Sequence, residues 1–436
     1  MKFYSTNNSA SEVDFREAVF KSFPADKGLY MPAYIPKLDE RFLRRIENYP
    51  MQEIAYRVSH ALLQDSIPSA DLRKIVNDAI DFPAPVVKLD EKTHVVELFH
   101  GPSLAFKDFG ARFMSRVMSH CLEDVGKVLD VLVATSGDTG GAVALGFLGI
   151  PNTRVTILYP RGKVSAIQEL QLTTCGGNIR AIELEGSFDD CQALVKRAFV
   201  DAELNKAFQL TSANSINIAR LIPQTFYYFN AFAELKKQGL ANLVISVPSG
   251  NFGNLAAGLL AWKMGLPVSH FLAATNVNDT VPKFLRTGAY HPRKSVPTIS
   301  NAMDVGSPSN WVRIMDMFKD HDRLGKMVTG YSFTDTETLN AIGVIFERYR
   351  YVACPHTAIG WLALEKWKSE NPANNSTGIF LSTAHPCKFP DVFPDKIAHA
   401  IKPPESVKHL TEQERRSVRL ANDFAAFKAL LLETII

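Results

Sequence analysis

From residue 95 onward the chain alternates between two apolar spacings. Short β-branched apolar runs at 95–99, 129–135, 155–158, 179–184, 243–247, 271–275 and 378–381 have the length and composition of strands. Between most of them, at 142–148, 191–199, 218–235 and 255–264, apolar residues recur at helical spacing. Strand and helix in alternation predict parallel sheets covered by helices, an α/β class. Residues 1–85 read differently. Helical patterns at 10–20, 39–46 and 51–63 flank a turn-rich segment, Phe23-Pro-Ala-Asp-Lys-Gly-Leu-Tyr-Met-Pro32, and predict a mainly helical leading unit with a scaffold or lid role. Phe82-Pro-Ala-Pro-Val86 reads as the connection, because both prolines oppose helix continuation. An amphipathic helix over 423–434 closes the chain.

One lysine stands at a junction in this pattern. The run Thr93-His-Val-Val-Glu-Leu-Phe99 reads as a strand, and Phe106, Phe109, Phe113, Val117 and Cys121 then follow helical spacing. Ser103 is the expected N-cap, which puts Lys107 in the first helical turn. The positive end of the helix dipole disfavours an ammonium there and favours the neutral amine. A neutral amine suits imine chemistry with an aldehyde cofactor. A solvated lysine early in a helix is the alternative.

Four polar loops follow predicted strands, where open α/β sheets gather ligands. In Thr135-Ser-Gly-Asp-Thr-Gly-Gly141, Ser136 and Thr139 offer hydroxyls and the next helix start favours a carboxylate. The loop lacks the GxGxxG pattern of dinucleotide sites. In Tyr159-Pro-Arg-Gly-Lys-Val-Ser165, Arg161 and Lys163 precede a helix start, where a phosphate would relieve the repulsion of two cations from the dipole. Asn214-Ser-Ile-Asn-Ile-Ala-Arg220 would complete that pocket, with Asn217 and Arg220 on one helix face. Ser249-Gly-Asn-Phe-Gly-Asn254 has glycines that allow an anion nest of backbone N–H groups. No Gly-Lys-Ser/Thr follows, so a small cofactor phosphate fits better than a nucleotide. In Ser382-Thr-Ala-His-Pro386, Thr383 or Ser382 would meet a ring nitrogen. Each loop, taken singly, is equally an ordinary capped turn.

Composition narrows the classes. At 436 residues, two or three domains of ~150 residues are expected. The 46% hydrophobic content supports large cores, and a net charge of +3, spread along the chain, argues against a dedicated nucleic-acid or membrane-surface protein. No run reaches the ~18 apolar residues of a membrane span. The residues from Met1 to Ser9 lack the apolar core of a secretory leader, and five scattered cysteines form no CxxC pair, so a reducing cytoplasmic setting is expected. Cys354-Pro-His356 and His385-Pro-Cys387 offer two Cys and two His, but tight spacing across rigid prolines argues against zinc. His356 and His385 are read as structural.

Residues 100–110, Ser136 to Gly140, Ser249 to Asn254 and Asn301-Ala-Met-Asp304 together resemble the threonine synthase family, and the likeness extends over essentially the whole chain. The resemblance implies a fold-type II pyridoxal-phosphate enzyme, close in architecture to tryptophan synthase β. It implies a leading unit over 1–85 and a catalytic region over 86–436, with a smaller α/β sub-domain roughly at 113–210. By this resemblance Lys107 carries pyridoxal 5′-phosphate and Gly250, Asn251, Phe252, Gly253 and Asn254 hold its phosphate. Thr383 would contact the pyridine nitrogen, where a neutral hydroxyl does not enforce protonation. Ser136 and Thr139 would bind the substrate carboxylate. Arg161, Lys163, Asn214, Ser215, Asn217 and Arg220 are candidates for the substrate phosphate. The implied reaction converts the small molecule O-phospho-L-homoserine and water to L-threonine and phosphate, with no metal, nucleic acid or membrane involved. Two alternatives stay open: a related phospholyase that releases 2-oxobutyrate, and a non-catalytic binding protein of the same fold. Chemistry that excludes water further implies closure of the leading unit or the smaller domain on substrate.

Overall fold

The computed structural model describes residues 1–122, 128–240 and 242–433. The predicted alternation folds into two parallel-rich sheets. One sheet has six strands in the order Val328–Ser332, Val268–Thr275, Leu243–Pro248, Thr377–Ser382, Thr93–Glu97 and Val86–Asp90. Its first five strands run parallel, and Val86–Asp90 pairs antiparallel to Thr93–Glu97 at the edge. The other sheet has five parallel strands: Val418–Ala421, Ile179–Glu185, Thr153–Pro160, Leu129–Ala134 and Gln209–Thr211. Its edge strand Val418–Ala421 comes from the C-terminal segment, beyond the expected 113–210 span of the smaller sub-domain.

The leading unit contains the helices Phe15–Lys21, Glu40–Arg44, Met51–Leu63 and Ser69–Ala79 and a two-stranded ribbon, Phe3–Ser5 with Tyr30–Pro32. Asp14 and Asp39 cap the first two helices, so both start later than the apolar spacing alone suggests. This unit has no separate core. Phe15, Leu62 and Val76 belong to one buried cluster with Phe109, Phe113 and Phe226. The closing helix runs Phe424–Leu432 with Asp423 as its cap, and Thr434 lies outside the described residues.

Two expectations about helix boundaries change. The predicted helix over 218–235 is three pieces: Ile218–Leu221, a 3-10 turn Ile222–Thr225, and Phe226–Lys237. Pro223 sits in the 3-10 turn, where its missing N–H and its ring prevent a continuous α-helix. Ser103 does not cap the lysine helix, which spans Lys107–Leu122. Ser103 instead lies in the preceding turn, where its N–H donates to Asp108 Oδ2 at 2.9 Å. Lys107 still falls in the first turn. Among the described residues no helix is long and apolar enough to cross a membrane.

The helix Gly253–Lys263 follows the glycine-bearing loop Ser249–Asn254 and is buried on almost every side. Gly258 on this helix faces two rings. A Cβ there would lie 2.8 Å from Tyr228 Cζ and 2.9 Å from Phe271 Cε1. Neither ring has a flexible end to move aside. Gly258→Ala is therefore expected to destabilise the fold by about 1–3 kcal/mol through overpacking, read as a lower urea midpoint. An unchanged midpoint would show that the rings yield without cost.

Candidate active site

Lys107 and Thr383 meet through backbone pairing. Ala105 and Ala384 form an isolated antiparallel bridge. The Phe106 N–H donates to Thr383 O at 2.9 Å and the His385 N–H to Leu104 O at 3.0 Å. The turn after Thr377–Ser382 thus lies directly against the segment that delivers Lys107. Ser382 is not free for a ligand in the same way, since its hydroxyl pairs with Thr357 Oγ1 at 2.9 Å.

Lys107 is half-buried by surface, yet desolvation dominates its chemistry. Burial lowers its pKa to about 8, with Asp138 opposing and Arg220 and Lys388 reinforcing the shift. The desolvation of the amine sets the direction of the shift. Asp108, next in the chain, is fully buried, and burial raises its carboxyl to about 6.

The Ser249–Asn254 loop has the form of an anion cradle. Its side chains are spent on the loop itself. Asn254 Oδ1 accepts from Ser249 Oγ and Leu255 N, both at 2.9 Å, and its Nδ2 donates to Pro248 O at 2.8 Å. Asn251 Nδ2 donates to Ser215 Oγ at 2.6 Å, while Asn251 Oδ1 accepts from the Ser309 N–H at 2.6 Å. What remains for a ligand is backbone N–H. Leu255 N uses Asn254 Oδ1 and Ala256 N uses Phe252 O. The N–H groups of Gly253 and Asn254 begin the helix and have no intrahelical acceptor. Phe252 precedes them in the left-handed region at φ 58°, a cost accepted by a non-glycine residue packed edge-on against Trp311. Gly250 lets this loop touch the Asn301–Met303 turn. A Cβ there would lie 2.7 Å from Ala302 O and 2.7 Å from Met303 Cα. A small phosphate fits this cradle.

In the first loop, Thr135 Oγ1 accepts from Gly137 N at 3.0 Å and Gly140 N at 2.8 Å, which turns the chain toward the helix Asp138–Phe147. Gly137 has φ 137°, and a Cβ would strike the Gln168 amide at 2.5 Å. Ser136 is exposed and Thr139 half-buried, as residues open to a ligand should be.

The remaining candidates separate. Ser215 joins the cradle through Asn251, and Asn214 lies half-buried beside it. Arg220 is buried and neighbours Lys107; one guanidinium nitrogen donates to Ala213 O at 2.7 Å, while Nε has no partner. Burial lowers its pKa to about 10. Asn217 does not share a ligand-facing side with Arg220. Its Oδ1 caps Ala219 N at 3.0 Å and its Nδ2 donates to Val19 O at 2.8 Å and Ser22 Oγ at 2.9 Å, tying this turn to the leading unit. Arg161 and Lys163 are exposed, and Arg161 reaches Glu185 at 3.4 Å and Glu183 at 3.9 Å.

Three buried polar residues carry weight that sequence spacing did not assign. Lys388 Nζ contacts Asp138 Oδ1 at 2.7 Å and Ser103 O at 2.7 Å. Gln168 Nε2 also donates to Asp138 Oδ1, at 2.9 Å. Burial would raise the Asp138 carboxyl, but the charges of Lys388 and Lys107 outweigh it and hold the group well below the usual range. Asp138 lies inside the Thr135–Gly141 loop, whereas no local pattern marks Lys388. His356 and His385 act as acceptors, His356 Nε2 for Ala302 N at 3.2 Å and His385 Nδ1 for Cys387 N at 3.1 Å.

The family model described as pyridoxal-phosphate dependent enzyme matches residues 82–382. The models for the threonine synthase N terminus and the threonine synthase C-terminal region match 2–80 and 357–431. A threonine synthase of Haemophilus influenzae is 43% identical over 438 residues, covering 100% of both chains. The crystal structure of threonine synthase from Escherichia coli superposes with a TM-score of 0.89 at 41% identity, again over 100% of both chains. A pyridoxal-phosphate-bound threonine synthase structure from Brucella melitensis reaches a TM-score of 0.90 at 33% identity over 99% of both chains.

The depressed basicity of Lys107 has a direct readout. In the apoprotein, the neutral amine should dominate above pH about 8. The component of imine formation with a simple aldehyde that is lost in Lys107→Ala should therefore rise through that pH and level off. A midpoint above pH 10, as for a solvated lysine, would remove the desolvation argument.

Proposed function

The chain belongs to the threonine synthase family of pyridoxal-phosphate enzymes, and we propose that it converts O-phospho-L-homoserine and water to L-threonine and phosphate. The observation that supports this most is the pairing of the Lys107 segment with Thr383, together with a glycine-bearing cradle of free N–H groups. Pyridoxal phosphate, bound through Lys107, supplies an electron-withdrawing system that stabilises negative charge developing at substrate carbons.

The chain's own residues do the rest. The N–H groups of Gly250, Asn251, Phe252, Gly253 and Asn254 are assigned to the cofactor phosphate, and the Thr383 hydroxyl to its ring nitrogen. Ser136 and Thr139 hold the substrate carboxylate at the start of the helix Asp138–Phe147. Once released by the substrate amine, the Lys107 amine is the base at Cα and Cβ and returns protons to Cγ and Cα. The Cγ–O bond breaks with its electron pair leaving on phosphate, and water supplies the hydroxyl at Cβ. Arg220, buried with an unpartnered Nε, is the foremost candidate for the substrate phosphate, with Asn214 and Ser215 beside it. Arg161 and Lys163 are assigned to an outer approach to the same anion, and Asn217 acts through the turn it caps.

Residues 1–85 are taken as the leading unit and 86–436 as the catalytic region, and exclusion of water follows from their closure or that of the smaller sub-domain. Five free cysteines suit a cytoplasmic setting.

Incubation with phosphohomoserine tests the reading. The wild-type protein should yield threonine and phosphate in equal amounts, whereas 2-oxobutyrate with ammonia would identify a phospholyase instead. Lys107→Ala should lose the cofactor's visible absorbance and at least about a thousandfold of turnover, since the base and the covalent attachment disappear together. Full activity in that variant would refute the assignment.

A further inference from the structure

Lys388 is among the most deeply buried cations of the described chain, and no step above uses it. Its side chain is 0% exposed, and that of its partner Asp138 is 4% exposed. A buried ion pair of this kind is a poor stabiliser, because desolvation cancels much of the attraction. Its position is more informative than its energy. Lys388 follows the Thr383 turn, in the short 3-10 turn Pro386–Lys388. Its Nζ bonds the Asp138 carboxylate at the start of the substrate-carboxylate helix and the carbonyl of Ser103 in the lysine loop. One ammonium thus joins the three segments that deliver Thr383, Asp138 and Lys107. Gln168 fixes the same Asp138 oxygen from a fourth side. Gln171 Nε2 meets the Ser103 carbonyl at 3.0 Å, so that carbonyl is held by two donors.

We propose that Asp138 and Lys388 are a positioning pair for Lys107: the ion pair ties the helix start at Asp138 to the turn that delivers Lys107, its carboxylate charge is partly offset by Lys388, and the balance of the two sets how firmly the Lys107 nitrogen holds its proton. This rests on the reading of Lys107 as the cofactor-bearing base. The charges that act on that nitrogen are Asp138, Arg220 and Lys388. His356, which senses the same three charges of Asp138, Lys107 and Lys388, is held neutral by burial at about 4. Asp108 points its Oδ2 into the Ser103 N–H. Asp138 is the carboxylate whose charge favours a proton on Lys107, and Lys388 is the cation that tempers it. A purely structural clamp would not distinguish the sign of the two charges. An electrostatic pair must.

The experiment is a pH titration of the visible absorbance of the cofactor-loaded protein in Lys388→Gln, Asp138→Asn and the double variant. Turnover is not needed. Lys388→Gln should raise the midpoint by about one unit or more, Asp138→Asn should lower it by a similar amount, and the double variant should return toward wild type. Lys388→Arg, which keeps the charge, should stay near the wild-type midpoint. If one single variant does not fold, the sign of the other decides. Midpoints that stay put, or that move in the same direction in both single variants, overturn the pairing. A wild-type protein with no visible band would instead overturn the attachment at Lys107, and the positioning proposal with it.

Discussion

The bridge between residues 104–106 and 383–385 is the constraint on which the catalytic arrangement depends. It is short, two backbone hydrogen bonds around Ala105 and Ala384. It joins a segment leaving one strand of the six-stranded sheet to a segment leaving the adjacent strand, Thr93–Glu97 and Thr377–Ser382. Parallel neighbours release their chains at the same end of a sheet, so both loops emerge together. The lysine and the hydroxyl that would address opposite parts of one ring are therefore juxtaposed by sheet order. The cradle at Ser249–Asn254 follows Leu243–Pro248, the strand on the other side of Thr377–Ser382. Three adjacent strands thus deliver Lys107, Thr383 and the Ser249–Asn254 loop to one end of the sheet.

The chemistry comes from what surrounds the amine. Burial alone weakens Lys107 as a base, and two nearby cations weaken it further. Such an environment is costly unless opposite charge enters. Asp138 is the resident counterion, and the helix that begins there adds a fixed positive field. Arg220 and Lys388 are buried and Lys107 is half-buried, so a carboxylate or phosphate reaching them would add negative charge that Asp138 alone does not supply. Arg220 Nε and Ser103 Oγ are buried without a hydrogen-bond partner. Their satisfaction by a ligand would recover the desolvation cost of each.

Much of this order was readable from residue spacing, and the losses have physical causes. The fully buried strands, such as Leu129–Ala134 and Leu243–Pro248, announce themselves as unbroken apolar runs because both faces are covered. Strands at sheet edges did not. Val86–Asp90 and Val418–Ala421 are half-exposed or exposed and short, so charged residues interrupt them and no unbroken apolar run marks them. Val328–Ser332 carries Gly330 because a Cβ there would lie 2.7 Å from Pro282 Cα, and that glycine masks the strand. In the site, the glycine-bearing loops were legible because close approach demands special backbone. Lys388 was not, because its function is a contact with Asp138, and nothing local in Pro386-Cys-Lys388 marks that distance partner. Asn217 was misread for the opposite reason. Its residue type suggested a ligand contact, whereas its amide is consumed by capping and by Val19 and Ser22.

That last contact changes the view of the leading unit. Ser22 Oγ donates to Ser212 O at 3.0 Å, Thr211 Oγ1 to Phe20 O at 2.9 Å, and Asn217 reaches both Val19 and Ser22. Buried Arg313, whose pKa burial lowers to about 9, adds bonds to Tyr30 O at 3.0 Å, Ile216 O at 2.6 Å and Asn310 Oδ1 at 2.7 Å. Asn310 in turn accompanies Ser215 and Asn251 beside the phosphate cradle. The leading unit is thus fastened to the 211–217 segment, and that segment is fastened to the cradle. A guanidinium bonded to carbonyls, with the charge left uncompensated by carboxylate, favours a nearby anion without contacting it. The leading unit is therefore linked to the Ser249–Asn254 loop through one buried arginine and one capping asparagine. Any movement of the leading unit must either carry the 211–217 turn with it or break those bonds.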